Sequence, residues 1–425
     1  MAMLTAIPGD AAVEIAPGVH WVGAFDPQLR NFDIILKTAN GTSYNAFLVR
    51  GENGVAVIDT VKEHFADDFF RRLESVARYD EITTIVLNHL EPDHSGALPE
   101  LLRRAPQATV YLSSRAQMML KALLKPGGGQ APEYVPVSTG DTVELGGRTL
   151  RFLHTPYLHW PDTQCTYLEE DGLLFTGDIF GCHFCDERLF NDRVGDFRFS
   201  FEYYYAQIMR PFREHVLDAL ALIEPLALHL IAPAHGPILR HLPRDYLRRY
   251  REMATPRLSN KARSEKTLLV FYLSAYGNTR RMAKAVAEGA ERIAGVRVSL
   301  YDLEGSDAGT FTDLVEEADG LAFGSPTINA DAVKPIWDLL SSLTTVNIKG
   351  KLGAAFGSYG WSGEAVRMIE DRLRGLKLRV PVDGLRIKLV PDAGELALCR
   401  NLGENLARHL TGQIEHREMD LAALA

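Results

Sequence analysis

Hydrophobic and polar positions follow two different patterns along the 425-residue chain. Up to about residue 250, short apolar runs predict β-strands, and several of them follow one another without a helix between. These runs read HWVGAF, TSYNAFLV, GVAVIDT, ITTIVLN, ATVYLSS, RTLRFLH, GLLFTGD and LHLIAPA. Helical patterns such as HFADDFFRRLESVARY and SGALPELLRRA lie between some of the strands. The arrangement predicts two packed sheets with helices on the outside.

Further along, strands and helices alternate strictly. The runs TLLVFYLS, VRVSLYDL, GLAFGSP and KLGAAFGS are each followed by a helical pattern, which predicts a doubly wound parallel sheet. Between the two patterns lies EMATPRLSNKARSEK, a polar stretch with few apolar anchors that suits a linker. We therefore predict an N-terminal domain at residues 1–255, a linker at 256–266 and a C-terminal domain at 267–425.

Composition and charge exclude several classes of protein. A hydrophobic content of 46% is typical of a globular chain. The net charge of −9 provides no basic excess for nucleic acid, so we expect no nucleic-acid partner. The start of the chain lacks a basic segment followed by an apolar one, and no run approaches the roughly 20 apolar residues of a membrane span. We expect a cytoplasmic protein without membrane contact, whose four cysteines form no disulfide framework.

Potential metal ligands stand where predicted strands of the first domain end. Four of them follow ITTIVLN within six residues, in a segment that we interpret as a loop because a helix would scatter them over different faces. A buried strand that ends in Asp or His needs a partner for that polar group, and a metal ion supplies one. The candidate metal ligands are His89, Glu91, Asp93, His94, His159, Asp178 and His235.

Seven ligands are too many for one tetrahedral ion and indicate a pair of ions. Imidazole and carboxylate without thiolate favour non-haem iron, and zinc remains the alternative. In the segment that supplies His159, we interpret the neighbouring His154 as structural. Cys182 and Cys185 form a CxxC, but no second CxxC accompanies it, so we interpret this pair as incidental.

Three loops of the second domain follow strand ends, where open α/β sheets bind ligands. The first loop, SAYGNT, precedes a helix and resembles neither a dinucleotide fingerprint nor a P-loop, so it predicts a site for a monophosphate. Tyr359 and Trp361 in the third loop can contact a planar ring. The candidate cofactor-binding residues are Ser274, Tyr276, Gly277, Asn278, Thr279, Ser325, Pro326, Thr327, Ile328, Asn329, Ser358, Tyr359, Gly360, Trp361 and Gly363.

The cluster His-x-Glu-x-Asp-His resembles the metallo-β-lactamase superfamily in its flavodiiron branch. Hydrolases of the superfamily commonly read His-x-His-x-Asp-His and bind zinc, and Glu91 stands where the second His would be. The segment LHWPDT and the spacing from His159 to Asp178 are also similar to that branch. The second domain resembles flavodoxin over its whole length. Nearly all of the chain therefore resembles the two-domain type of flavodiiron protein.

This resemblance implies a fold of class α/β and α+β. An N-terminal metallo-β-lactamase-like αβ/βα sandwich would be followed by a C-terminal flavodoxin-like, doubly wound parallel sheet. The implied cofactors are FMN and two non-haem irons. One iron would be held by His89, Glu91 and His159, and the other by Asp93, His94 and His235, with Asp178 as the bridge. The resemblance implies no catalytic residues beyond the metal ligands.

The implied activity is reduction of O2 to water with four electrons, of two NO to N2O with two, or of both. Electrons would pass through FMN from an external donor such as rubredoxin. A head-to-tail homodimer, or a dimer of dimers, would place the FMN of one chain beside the irons of the other. The alternatives are a di-zinc hydrolase fused to a flavodoxin-like domain, and an electron carrier or redox sensor whose metal site is structural.

Overall fold

The chain divides into two compact units, Met1–Thr255 and Pro256–Ala425. The computed structural model describes residues 11–32, 36–124, 133–255 and 265–414. Most of the predicted linker lies outside the described residues. The polar stretch that suggested it begins in the last turn of a helix, Pro243–Ala254, and ends at Lys266, the first residue of a strand.

The first unit contains two main sheets. Its strands are β1 (Val13–Ala16), β2 (Val19–Trp21), β3 (Ala24–Asp26), β4 (Asn31–Phe32), β5 (Leu36–Lys37), β6 (Thr42–Tyr44), β7 (Phe47–Arg50), β8 (Val55–Ile58), β9 (Ile82–Leu87), β10 (Thr109–Ser113), β11 (Tyr134–Val137), β12 (Thr142–Glu144), β13 (Thr149–His154), β14 (Gln164–Leu168), β15 (Leu173–Gly177) and β16 (Leu230–Pro233). The larger sheet has the order β1-β2-β7-β8-β9-β10-β11, and the smaller has the order β12-β13-β14-β15-β16.

Helices cover the outer face of each sheet. They are α1 (Ala66–Glu74), α2 (Pro92–Ser95), α3 (Leu98–Arg104), α4 (Ser114–Leu123), α5 (Arg198–Tyr204), α6 (Arg213–Ile223) and α7 (Pro243–Ala254). One hydrophobic core joins α1, α3 and α4 to the larger sheet, and another joins α5, α6 and α7 to the smaller. A third core lies between the sheets, where the rings of Phe47 and Phe175 are 5.0 Å apart. These layers confirm the predicted αβ/βα sandwich.

Two of the predicted strands are interrupted. HWVGAF forms β2 and β3, and TSYNAFLV forms β6 and β7. At the second break, the buried Asn45 side chain accepts a hydrogen bond from Trp21 Nε1 (2.9 Å) and donates to the carbonyls of Pro233 (2.8 Å) and Gly236 (3.0 Å). These three hydrogen bonds satisfy the buried amide of Asn45, which lies between β6 and β7. It ties the larger sheet to the segment after β16, on both sides of His235.

The second unit contains one five-stranded parallel sheet, in the order β18-β17-β19-β22-β23. Its strands are β17 (Lys266–Tyr272), β18 (Val296–Asp302), β19 (Gly320–Gly324), β20 (Thr327–Ile328), β21 (Asp331–Ala332), β22 (Leu352–Tyr359) and β23 (Leu385–Lys388). Its helices are α8 (Asn278–Glu291), α9 (Thr312–Glu317), α10 (Lys334–Ser342), α11 (Glu364–Gly375) and α12 (Ala393–Leu410).

Hydrophobic cores lie on both faces of this sheet. One joins it to α9, α10 and α11, and the other joins it to α8 and α12. The doubly wound, flavodoxin-like prediction is therefore confirmed. Among the helices of the described residues, none is long and apolar enough to cross a membrane.

Candidate metal centre and flavin site

The predicted metal ligands converge at one edge of the sandwich. The larger sheet supplies four of them after β9, and the smaller sheet supplies one after each of β13, β15 and β16. Because β13, β15 and β16 run in the same direction, their carboxyl ends meet at that edge. The side chains brought together are His89, Glu91, Asp93, His94, His159, Asp178 and His235.

The segment after β9 is held in place by its own backbone. The Asn88 N–H donates to Asp59 Oδ1 (2.7 Å), and the carbonyl of His94 accepts both the N–H and the hydroxyl of Thr60 (2.8 Å each). Asp93 and His94 lie in the one-turn helix α2, so the prediction of a loop throughout was wrong for these two residues. Pro92 explains the turn, since its fixed φ suits the first helical position.

Asp178 lies at the middle of the cluster, and each of its carboxylate oxygens faces a different pair of histidines. Oδ2 is 3.6 Å from His89 Nε2 and 3.8 Å from His159 Nε2. Oδ1 is 3.4 Å from His94 Nε2 and 3.5 Å from His235 Nε2. A carboxylate with its two oxygens directed to two ligand pairs has the arrangement that a bridge between two ions requires.

The other two carboxylates each serve one side of the cluster. Glu91 Oε2 lies 3.1 Å from His89 Nε2 and 3.0 Å from His159 Nε2. Asp93 Oδ2 lies 3.1 Å from His235 Nε2, and its Oδ1 lies 3.3 Å from His94 Nε2. Each half therefore has two imidazoles and one carboxylate of its own.

Within the part of the chain that the structure describes, several of these buried atoms have no hydrogen-bond partner. The unpartnered atoms are both oxygens of Asp93, Oδ2 of Asp178, both ring nitrogens of His94 and Nε2 of His235. Such burial costs free energy unless something else satisfies the atoms. The described residues contain two groups of potential ligands that share His94, and the ligand atoms of each group lie within 4.8 Å of one another. A donor set of imidazole and carboxylate without thiolate fits a pair of iron ions.

The electrostatics of the cluster agree with that fit. Burial alone would lower the pKa of His94, but the carboxylates of Asp93 and Asp178 raise it to about 9. Burial would likewise raise the pKa of Asp178, yet His94 and the other histidines hold it well below its usual range. Without metal, His94 therefore holds a proton, and binding of metal releases it.

Two ligand histidines are oriented by groups that the sequence did not reveal as functional. His89 Nδ1 donates to Asp162 Oδ2 (3.0 Å), which also accepts the Leu90 N–H (2.8 Å). His235 Nδ1 donates to the carbonyl of Ser43 (2.8 Å). In each case the bond leaves the Nε2 lone pair facing the cluster, as a metal ligand requires. Asp162 could have been found from its place in LHWPDT, but Ser43 approaches only through the fold.

Tyr204 is a further contact that the sequence did not indicate. Its hydroxyl donates to Asp178 Oδ1 (2.8 Å) from the end of α5. His154 ends β13, and its backbone N–H donates to Thr139 Oγ1 (2.9 Å), while His159 supplies the Nε2 that faces Glu91.

The CxxC cysteines are free thiols. Burial raises the pKa of Cys182 well above its usual range and that of Cys185 to about 12. Neither cysteine is among the grouped metal-ligand candidates of the described chain. Thiols this weakly acidic are poor nucleophiles and poor metal ligands.

The predicted phosphate loop joins β17 to α8. Gly277 has φ +81°, a conformation that glycine adopts without strain, and α8 begins at Asn278. Among the described residues, Ser274 Oγ is buried without a hydrogen-bond partner, and Ser274 lines the same pocket as Gly277, the residue before α8. The first N–H groups of a helix have no partner within it. Thr279 Oγ1 lies 2.9 Å from Ser358 Oγ, which joins the first loop to the third. These groups fit a phosphate.

An open pocket of about 740 Å³ adjoins the loop. It is lined by Leu273, Ser274, Ala275, Tyr276, Gly277, Arg280, Glu304, Gly305 and Pro335. The first and third loops each have an exposed aromatic ring, Tyr276 at 91% and Trp361 at 79%, whereas Tyr359 is half-buried. Exposed rings of this size are available to stack on a planar cofactor.

In the second loop, which lies between β19 and α10, the hydroxyl of Ser325 is used within the protein. It donates to the carbonyl of Pro326 (2.8 Å) and accepts the Val333 N–H (3.1 Å), so it shapes the loop. Thr327 and Ile328 form β20 of a short hairpin with β21, which the sequence did not predict. The turn of that hairpin begins at Asn329, with φ +53°.

Known proteins share both halves of this architecture. The family model for ODP family beta lactamase matches residues 42–236, and that for flavodoxin matches residues 270–403. The type A flavoprotein fprA of Rhodobacter capsulatus is 63% identical over 413 residues, covering 97% of this chain and 95% of the relative. The flavo-diiron protein FprA2 of Clostridium acetobutylicum is 37% identical over 406 residues, covering 94% of this chain and 100% of the relative. The chain belongs to the flavodiiron protein family.

The resemblance inferred from the sequence is thus confirmed. This flavodiiron protein is also 36% identical over 405 residues to the anaerobic nitric oxide reductase flavorubredoxin of Aeromonas salmonicida, covering 93% of this chain and 75% of the relative. The rubredoxin oxygen:oxidoreductase of Desulfovibrio gigas has a similar solved structure, with a TM-score of 0.67 at 29% identity, covering 95% of this chain and 99% of the other.

Proposed function

We propose that this flavodiiron protein reduces O2 to water, NO to N2O, or both, at a non-haem di-iron centre supplied with electrons through FMN. The observation that carries the proposal is the position of Asp178, whose two oxygens face separate histidine pairs. A single ion would need only one such pair. A hydrolytic zinc pair would use the same bridge, so the metal and the reaction have to be measured together.

The predicted ligands would bind the two irons in two sets. His89, Glu91 and His159 would hold one iron and Asp93, His94 and His235 the other, with Asp178 between them. When bound, the iron pair would supply open positions for a diatomic molecule, and FMN would store two electrons and pass them on singly. The His159 side chain is 18% exposed, whereas those of His89 and His235 are fully buried, so the cluster is most open to solvent beside His159.

In the second unit, the residues beside the phosphate loop would bind FMN. The N-terminus of α8 with Ser274 and Thr279 would hold the phosphate, and Tyr276, Tyr359 and Trp361 would flank the flavin ring. The glycines of the first and third loops and the residues of the second loop are the other predicted FMN-binding residues.

The substrates and the donor are inferred from relatives. The Aeromonas relative is named a nitric oxide reductase and the Desulfovibrio protein a rubredoxin:oxygen oxidoreductase. We therefore propose O2, NO or both as substrates and rubredoxin as the donor. We also propose domains at residues 1–255 and 267–425, and a head-to-tail homodimer in which the FMN of one chain serves the irons of the other.

The test is anaerobic reduction of the full chain with rubredoxin and its reductase, followed by parallel measurements of O2 and NO consumption. We expect two irons and one FMN per chain by elemental and flavin analysis, and turnover with at least one of the two gases. Stoichiometric zinc in active protein, or a flavin-free spectrum, would contradict the proposal. Hydrolytic activity without gas consumption would favour the di-zinc hydrolase instead.

A further inference from the structure

His183 lies beside the metal-ligand cluster without belonging to it. The residue is 5% exposed, and its ring centroid is 5.2 Å from that of His235 and 5.0 Å from that of Tyr204. Phe32 covers another side of the ring, at 4.4 Å. Among the described residues, no group forms a hydrogen bond with the buried Nε2 of His183.

The direction of this nitrogen follows from a hydroxyl that two histidines share. Thr42 Oγ1 is 3.1 Å from His183 Nδ1 and 3.4 Å from His235 Nδ1. Both rings therefore have Nδ1 at Thr42 and Nε2 on the opposite side. The Nε2 of His235 reaches the cluster, 3.1 Å from Asp93 Oδ2. Asp178, Glu91 and His94 also act electrostatically on His183, so its ring lies beside the metal-ligand atoms.

We assign the proton of His183 to Nε2 from the hydrogen bonds around Thr42. The carbonyl of Ser43 already accepts the Nδ1–H of His235 at 2.8 Å. The Thr42 hydroxyl can donate to that carbonyl at 3.2 Å or to His183 Nδ1 at 3.1 Å. If the Thr42 hydroxyl donates to His183 Nδ1, each donor has its own acceptor. The proton of the neutral His183 ring is then on Nε2. That N–H then needs an acceptor that the described chain does not provide.

The neighbouring donors are already in use. The hydroxyl of Tyr204 donates to Asp178 Oδ1, and the hydroxyl of Thr42 is assigned to His183 itself. An acceptor for His183 must be small, because Phe32, Tyr204 and His235 surround the ring. An oxygen or nitrogen atom of a diatomic or triatomic molecule, or of an anion bound at the metals, meets this requirement.

We propose that His183 donates a hydrogen bond to the small exogenous ligand of the di-metal centre. The inference deepens the proposed function, since it assigns a binding group to that same site. His183 would touch the ligand without being a metal ligand. It would therefore change the affinity for the ligand while leaving the metals in place.

The probe is sodium azide, a small anion that accepts hydrogen bonds, titrated into the oxidised, iron-loaded full chain while the visible absorption is recorded. The variants are His183→Leu, which fills the space without an N–H, and His183→Gln, which restores an N–H donor. His20→Leu is the matched control. Within the described ranges, His20 Nδ1 is also buried without a hydrogen-bond partner. It lies on β2 opposite Leu48 and near Glu14 and Arg50, not beside the cluster.

With two irons and one FMN bound, we expect His183→Leu to raise the Kd for azide about tenfold or more, because a hydrogen bond to an anion is lost. His183→Gln should recover most of the affinity, and His20→Leu should leave it unchanged. An unchanged Kd in His183→Leu would overturn the proposal. Loss of iron from His183→Leu would overturn it too, since the residue would then support the metals themselves. If the wild-type protein consumed neither O2 nor NO, the proposed function would fail, but the azide titration would still decide the role of His183.

Discussion

Replacement of Asp162 by alanine tests whether a carboxylate outside the ligand set controls metal binding. Asp162 is fully buried, and its Oδ2 accepts two hydrogen bonds, from His89 Nδ1 (3.0 Å) and from the Leu90 N–H (2.8 Å). The Asp162→Ala variant loses both hydrogen bonds. The His89 ring then loses the bond that sets its rotation and its tautomer, while the ligand nitrogen itself remains.

The size of the effect follows from the single bond to His89. Removal of a carboxylate that orients a ligand histidine typically lowers metal affinity roughly 10- to 100-fold, which corresponds to about 1.4–2.7 kcal/mol. Asp162→Asn should lose less, because an amide oxygen can still accept both N–H groups, although without the charge that strengthens the bond. We therefore expect the order wild type, Asp162→Asn, Asp162→Ala in decreasing affinity.

The assay is anaerobic competition for ferrous iron between the protein and a coloured chelator, with circular dichroism to verify the fold. Asp171→Ala is the control, because it removes a carboxylate that pairs with Arg148 (2.7 Å) elsewhere in the same unit. We expect the control to bind iron as the wild type does. If a folded Asp162→Ala variant keeps wild-type affinity, the orienting role assigned to this carboxylate is wrong.

Three further predictions concern the two cofactor sites. Asp178→Ala should lose both irons or all turnover, because it removes the central carboxylate, while FMN remains bound. Elemental and flavin analysis measure this, and an active variant would contradict the role of Asp178 as the bridge. Thr279→Asp should lose FMN and keep iron, because a carboxylate there repels the phosphate and competes for the N-terminus of α8. The visible spectrum measures the bound flavin, and retained flavin would contradict the phosphate site. His94→Ala and Thr279→Asp chains should each be inactive alone and regain O2 consumption after subunit exchange, with about half of the dimers mixed if exchange is random. Absence of rescue, with exchange verified by mass spectrometry, would contradict transfer across a dimer.

The ligand candidates could be predicted because polar residues at the ends of apolar runs are visible in the sequence. His89, Asp178 and His235 each follow a run that forms a buried strand. Parallel strands bring such ends to one edge, so their convergence follows from the strand pattern. The one-turn helix at Asp93 was missed because a proline followed by short polar residues is equally typical of a turn.

The surrounding contacts could not be predicted in the same way. Ser43 binds His235 across 192 positions of the chain, and Tyr204 binds Asp178 across 26. Such contacts depend on how the sheets and α5 pack, and no local pattern records them. In the second unit, the Ser325 hydroxyl looks like a ligand group in the sequence, but the structure uses it within its own loop.

The position of the cluster between the two sheets links iron supply to the lifetime of the protein. The larger sheet contributes the ligands after β9, and the smaller sheet contributes His159, Asp178 and His235. Ions bound there would connect the two sheets of the sandwich. A ligand that binds only the folded state stabilises that state by about 4 kcal/mol when its free concentration is roughly 1,000 times its Kd. A chain made without iron would open more often at this edge and expose its strands to proteases. The amount of this protein in a cell would then follow the availability of iron even if its synthesis were constant.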